Sequence, residues 1–189
     1  MAQKKQKIQR AEKIFKIKNL SIQEKPPILI KNFIRDAHEN AETYQALFIF
    51  ENSVRSFIIT IMEKSHGKKW WDTQYVNKDI KTKVKERLND EKINPFHGKR
   101  GIHEIFYTDF SELSTIIKNN AKIFNPLFSG AKGKTSFLTQ KLDELAISRN
   151  NIAHTCPLKK KDRDRFLLYF QDWYDQLEAI NSNLKISKS

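Results

Sequence analysis

The stretch Arg149-Asn150-Asn151-Ile152-Ala153-His154 holds the residue types that phosphodiester chemistry needs. A histidine titrating near neutrality can move a proton, and a guanidinium can hold a phosphate through two parallel hydrogen bonds. Together they suit attack of a ribose 2′-OH on the adjacent phosphodiester, with Asn150 orienting either group. The spacing raises a geometric difficulty. On one ideal helix Arg149 and His154 point about 140° apart, so they do not share a face. Pro157 disfavours helix at Cys156 and should end the segment around residues 154–155. His154 then sits at a C-terminal end, where the macrodipole favours imidazolium. The bare pattern is weak: with 8 Arg and 5 His in the chain, chance supplies about 0.6 such pairs. Taken alone it reads more readily as an arginine on a solvated face and a histidine capping a helix end.

Other chemistry-bearing groups point to less. Gly130-Ala131-Lys132-Gly133-Lys134-Thr135 has two residues between its glycines, where a phosphate-cradling loop needs four. No strand precedes it, so it reads as a flexible helix connection and not a nucleotide site. His97 and His103 share a loop, and His154 lies just before Cys156, but neither pair has the further ligands of a metal site. No metal and no cofactor is expected. Cys156 is the sole cysteine, which excludes an internal disulfide framework.

The elements that must position these groups are helical. Phe50, Val54, Phe57, Ile58 and Ile61 recur at steps of three and four, which predicts a helix from Ile28 to about Lys64, with a break near residues 38–40. Glu51 and Arg55 stand at i,i+4 on it, an orientation that favours an ion pair. Gly67 ends it. Of the adjacent Trp70 and Trp71, at least one should plug a loop against the core. Residues 77–92 read as an exposed helix, and residues 93–108 as a loop with an extended piece at residues 102–107. Asp109 or Ser111 can cap a helix carrying Phe110, Leu113, Ile116 and Ile117. Thr135 or Ser136 opens another, with Leu138, Leu142, Leu145 and Ile152 on its stripe. A last helix spans about residues 162–183, with Phe166, Leu167, Phe170, Trp173, Tyr174, Leu177 and Ile180. The expectation is an all-α bundle over residues 28–189, preceded by a basic N-terminal arm at residues 1–27. Within the arm, Ile8, Ala11, Ile14 and Phe15 allow a short amphipathic helix.

Composition supports that class. Hydrophobic residues are 39% of the chain and include 13 Phe, too apolar and aromatic for a disordered polycation. Only 5 Gly and 5 Pro disfavour a turn-rich sandwich or barrel. No apolar run suits a secretory signal or a membrane span, so a soluble, cytoplasmic protein without stable membrane association is expected. The net charge of +13 suits an acidic partner, whether nucleic acid, an anionic membrane or an acidic protein, and taken alone it fits plain solubility nearly as well; it is unevenly spread. Residues 1–25 carry +6, residues 77–101 carry +4 and residues 159–165 carry +3, so the remaining chain is balanced. The last basic segment begins just beyond His154. Lys159, Lys160, Lys161 and Arg163 are therefore candidate RNA-binding residues.

Beyond the six-residue pattern, Glu51-Asn52-Ser53-Val54-Arg55-Ser56-Phe57-Ile58 followed by Gly67 and Trp70-Trp71, then Tyr107-Thr108-Asp109-Phe110-Ser111-Glu112-Leu113 with Ile116 and Ile117, then Leu145 through His154 with Leu158, occur in a telling order. That series resembles a subgroup of the HEPN superfamily over about residues 41–180. The superfamily's signature is Arg, a polar residue, then His, here Arg149, Asn150 and His154. The resemblance implies a small α-helical bundle that dimerises, and a metal-independent endoribonuclease of toxin–antitoxin, abortive-infection or other antiviral systems. Dimerisation would set two motifs in one cleft, which answers the angular difficulty. His154 would act as general base on the 2′-OH or as acid on the leaving 5′-oxygen, and Arg149 would stabilise charge on the phosphoryl oxygens. The products would be a 2′,3′-cyclic phosphate and a 5′-OH. Glu51 and Arg55 would either line the cleft or form a structural ion pair. Some HEPN toxins carry a Tyr two residues after the His that a partner enzyme modifies; this chain has Cys156 there, so silencing by that route is not implied. An antitoxin or sensor would be a separate polypeptide. The competing expectation is a non-catalytic HEPN module for RNA binding or protein docking in a defence complex.

Overall fold

A computed structural model describes residues 16–17, 20–21, 28–128 and 135–184. Among them six α-helices dominate. The first, α1, runs Ile28–His66 and is about 58 Å long at the standard rise. It is unbroken, contrary to the expected interruption at residues 38–40. That segment holds no Gly or Pro, and the Asn40 side chain does not turn back on its own backbone. It reaches instead to the carbonyl of Cys156 at 3.0 Å and the N–H of Leu158 at 3.3 Å. Gly67, at φ 79°, ends the helix in the left-handed region that glycine enters freely.

The apolar stripe of α1 is the centre of the core. Phe50, Val54, Phe57, Ile58 and Ile61 are all buried. Phe50 meets Phe110, Phe166 and Trp173 edge-on, at centroid distances of 5.9, 6.0 and 6.4 Å. Such offset aromatic pairs add directional attraction to area burial. The Trp173 indole donates to Ser53 Oγ at 2.8 Å, so its polar edge is satisfied inside the core. Both Trp70 and Trp71 are buried. A 3₁₀ turn at Trp70–Asp72 lets them point to different places, which a single helical stripe would not.

Helix α2, Lys78–Ile93, buries only Ile80 and Val84 and is otherwise solvated, as its charge pattern predicts. Its tie to the body is Arg87, which donates to the carbonyl of Tyr107 at 2.6 Å and to Glu112 at 2.5 and 3.1 Å. Glu112 is itself buried and belongs to the cap of α3, Phe110–Asn119. There Asp109 accepts from the Glu112 N–H, and Glu112 accepts from the Asp109 N–H, a reciprocal capping box. Of the two expected caps, Asp109 is the one used. A short α4, Ala121–Phe124, follows after Asn120, whose side chain donates to the carbonyls of Tyr75 and Ile116.

Helix α5, Ser136–Ala153, opens after Thr135 and lies along α3 in the most extensive helix pairing of the molecule. Leu138, Leu142 and Leu145 are buried as the stripe predicts, and Ile152 is partly so. Helix α6, Lys160–Leu184, closes the bundle over α1 and α5, burying Phe166, Trp173 and Ile180. The fold is all-α. Among the described residues the one departure is an antiparallel ribbon of two residues a strand in the basic arm, Lys16–Ile17 with Leu20–Ser21. The amphipathic segment at residues 8–15 and the glycine loop at residues 130–133 lie outside the described residues.

Of residues 102–107, expected to be extended, His103 is so, but the four that follow are not. Glu104–Tyr107 form a 3₁₀ turn, because His103 Nδ1 accepts the Ile105 N–H at 3.1 Å and caps it. The His103 ring stacks on Trp70 at 5.3 Å. Burial holds its pKa below the ordinary imidazole value, against the opposing pull of Glu104 and Glu63. The unfolded chain therefore takes up this proton first as pH falls. The stability contributed is complete above an unfolded value of about 6.5 and is lost as pH drops through and below it. Thermal unfolding should show this as a fall in Tm between about pH 7 and 5.5. His103→Asn, whose side-chain oxygen can accept the same N–H without titrating, should flatten that fall; an unchanged slope would place its source elsewhere.

Candidate active site

Glu51 and Arg55, one turn apart on α1, are both buried. Burying charge is costly unless every charge is paired and hydrogen-bonded. Arg55 meets that condition through its two terminal nitrogens, which have three partners, while its buried Nε has none among the described residues. It donates to Glu51 Oε1 at 2.5 Å, to the carbonyl of Thr108 at 2.7 Å and to Asn52 Oδ1 at 3.1 Å. Its guanidinium also lies over the Phe106 ring, 5.9 Å from the centroid. Burial is the main force lowering the Arg55 pKa from its usual range; the Glu51 charge opposes it, while the cations Arg149 and Arg100 add to it.

The other oxygen of the same carboxylate faces α5. Glu51 Oε2 lies 4.0 Å from Arg149 Nε, at the limit of an ion pair. Arg149 is 37% exposed and makes no hydrogen bond among the described residues, so its guanidinium donors remain open to solvent. One carboxylate thus serves two guanidiniums, and the cluster keeps an excess of positive charge. An incoming anion is what would balance it.

His154 caps the C-terminal end of α5, its N–H donating to the carbonyl of Asn150 at 2.9 Å. The chain then closes a Schellman turn. Thr155 N–H reaches the Ile152 carbonyl at 3.0 Å, and Cys156 N–H reaches the Asn151 carbonyl at 2.8 Å. This requires a left-handed residue, and Thr155 takes it with φ 57°. A β-branched residue there costs about 1–2 kcal/mol relative to glycine. The turn is held from α1 and α6 together. Asn40 grips it on both sides of Pro157, and Arg163 donates to the Leu158 carbonyl at 2.7 Å while pairing with Glu39 at 2.8 Å. The His154 imidazole is exposed and has no hydrogen bond or ion pair among the described residues.

The expected site residues therefore fall into groups. Arg149, Glu51 and Arg55 come together. His154 is held nearby in sequence, but among the described residues no hydrogen bond or ion pair joins its side chain to that cluster. Asn150 is exposed, and its side chain makes no hydrogen bond among the described residues. Lys159, Lys160 and Lys161 are exposed at the start of α6, where the helix dipole disfavours cations. Only Lys160 pairs, with Asp164 at 2.9 Å. Arg163, expected beside them on RNA, is largely covered and engaged with Glu39 and Leu158. Among the described residues no three His, Cys, Asp or Glu side chains converge on a metal position. Sequence reasoning passed over Asn40 and Arg100. Asn40 looked like a helix breaker, and Arg100 like one more surface charge.

No described helix is long and apolar enough to cross a membrane. No curated protein and no solved structure matches the chain. A protein-family model does: Swt1-like HEPN, over residues 45–180, from the second third of α1 to within the last turns of α6. The chain belongs to the Swt1-like HEPN family, whose wider HEPN class comprises metal-independent ribonucleases.

Proposed function

We propose that the protein is a metal-independent endoribonuclease acting as a homodimer in a cytoplasmic toxin–antitoxin or abortive-infection system. The observation that carries this reading is Arg149: anchored by Glu51 yet open to solvent, on the helix whose clamped end presents an unpaired His154. Arg149 binds the scissile phosphate and stabilises charge building on its oxygens. His154 takes the 2′-OH proton, or returns one to the leaving 5′-oxygen. O2′ bonds to phosphorus as the P–O5′ bond breaks, leaving a 2′,3′-cyclic phosphate and a 5′-OH. Asn150, exposed between them, orients the phosphate or the imidazole. Glu51 and Arg55 set the position of Arg149.

A second chain would support this chemistry, since on an ideal helix Arg149 and His154 point about 140° apart. Phe33, Tyr44 and Phe48 are exposed on the side of α1 that carries Glu51 and Arg55, within about 60° of each other on an ideal helix. An exposed apolar stripe beside a charged site marks an interaction surface. A homodimer formed along it would bring Arg149 of one subunit toward His154 of the other. Control would come from a separate antitoxin or sensor protein.

Purified protein should cleave RNA in excess EDTA and leave cyclic-phosphate ends. His154→Ala should lower the rate by about 10²–10⁴ while the protein keeps its fold and assembly. Undiminished cleavage by that variant would refute the assignment. RNA binding without cyclic-phosphate product would favour the non-catalytic module.

Replacing Lys159, Lys160 and Lys161 together with Ala should weaken RNA binding and reduce its salt slope by about 2. The rate at saturating RNA should stay unchanged, since none of the three belongs to the chemistry.

Asn40→Ala removes both side-chain bonds to the turn after His154. Loss of about 1–2 kcal/mol of stability is expected, together with slower cleavage at temperatures where the variant is fully folded. Asn40→Asp keeps the acceptor for Leu158 but sets a carboxylate oxygen against the Cys156 carbonyl, so it should be at least as damaging as Asn40→Ala.

A further inference from the structure

The connection between α2 and α3 exposes side chains that a chain would ordinarily bury. Phe96 is 99% exposed, Ile102 is fully exposed and Ile93 is 76% exposed. This is not a loosely held loop. The Glu91 carboxylate accepts from the Arg100 N–H at 3.1 Å and from the Tyr107 hydroxyl at 2.8 Å, closing residues 91–107 at the base. Asn94 ties the first turn to the Asp90 carbonyl at 2.8 Å. Gly101 presses its backbone on Phe106, where a Cβ would sit 2.5 Å from a ring carbon. The tip is thus presented on a fixed stem.

The loop is cationic as well as aromatic. Lys92, Lys99 and Arg100 fall within it, no acidic residue occurs from 92 to 100, and Glu91 is engaged at the base. Its stem is also built into the arginine cluster. Phe106, on which Gly101 rests, is the ring under Arg55. Arg100 lies 5.9 Å from the centroid of Tyr107, and the next carbonyl, that of Thr108, accepts from Arg55. Arg100 is close enough for its charge to be felt at Arg55.

We infer that residues 92–102 form a platform for an unpaired RNA nucleotide beside the Arg149 cluster, Phe96 stacking on the base and Lys99 and Arg100 holding the flanking phosphates. It rests on the reading that the Arg149 cluster acts on RNA. An exposed aromatic ring among cations matches the two parts of a single-stranded nucleotide, a flat apolar base and a charged backbone. A duplex offers the charge but hides the base faces, so the platform selects unpaired segments. The stem orients the tip, so little ordering opposes binding. The substrate class is therefore RNA cut within single-stranded stretches or loops.

The test measures binding of a fluorescent 2′-O-methyl oligoribonucleotide of about 12 residues, which resists 2′-OH attack, alone and as a duplex. Phe96→Ala should weaken single-strand binding about tenfold and leave duplex binding within about twofold. Phe96→Trp should retain single-strand binding and gain a fluorescence signal quenched by the oligonucleotide. Wild-type single-strand affinity in Phe96→Ala would overturn the inference. So would an equal loss for both forms, or a changed sedimentation coefficient, which would make the loop a contact between protein copies. Failure of the ribonuclease reading is separate: it would appear as no cyclic-phosphate product from ordinary RNA, with the Phe96 effect on binding intact.

Discussion

Glu51 is a buried carboxylate with a guanidinium facing each oxygen, and three parts of the fold meet at it. Arg55 comes from α1 itself, Arg149 from α5, and the Thr108 carbonyl that Arg55 also binds comes from the segment leading into α3. Taking one carboxylate and one guanidinium out of water costs several kcal/mol per ion, recovered only when geometry and additional hydrogen bonds are good. That requirement fixes the Thr108 carbonyl, and with it the approach to Asp109, whose capping box starts α3. The start of a core helix therefore depends on the same charge that Arg149 faces at 4.0 Å. The balance is also incomplete by construction. One carboxylate stands against Arg55 and Arg149, with Arg100 adding repulsion at Arg55, so an anion arriving on the exposed Arg149 side would offset the excess.

What was legible in the sequence was whatever depends on neighbours along the chain. The stripe of α1, the stripe of α5 and the end of α5 before Pro157 are all set within a few residues, and each occurs as read; of the two caps offered for α3, Asp109 and Ser111, the box with Glu112 selects Asp109. The misreadings share the opposite property. Asn40 has the local character of a helix breaker, but its partner lies 116 positions away at Cys156, so nothing nearby reveals that its amide is engaged elsewhere. The stretch before Tyr107 looks extended by composition, and one imidazole nitrogen converts it to a 3₁₀ turn. Arg163 looks like its exposed neighbours until Glu39 of α1 is brought beside it. The nearness of Glu51 and Arg149 is of the same kind. No periodicity announces it, and only the family resemblance put both on one list of candidates.

The turn after His154 shows how a strained residue can be kept. Thr155 holds a backbone conformation that glycine would adopt at less cost, so local preference works against it. The surroundings over-determine the turn: two Schellman bonds, both arms of the Asn40 amide, the Arg163 contact and the burial of Leu158. Strain that persists under such restraint serves position more than stability. Its consequence is that the helix stops at His154 with the imidazole projecting free, instead of fraying and carrying the histidine with it.

Charge placement extends the argument from one residue to a path. Helix dipoles and solubility do not explain three lysines at the N-terminal end of α6, where the dipole opposes them. Nor do they explain an aromatic ring held fully in solvent at residue 96. Each makes sense if a polyanion runs past both. Lys159–Lys161 adjoin the turn that presents His154, and the 92–102 loop shares its stem with the cluster that anchors Arg149. The two basic surfaces thus attach to the two halves of the proposed chemistry, which an ideal helix would set about 140° apart within one chain. A strand engaged by the loop of one subunit and the lysines of another would cross the position where Arg149 and His154 of different chains approach. If the two side chains diverge as an ideal helix sets them, about 140° apart, such a strand would need a second subunit to meet both.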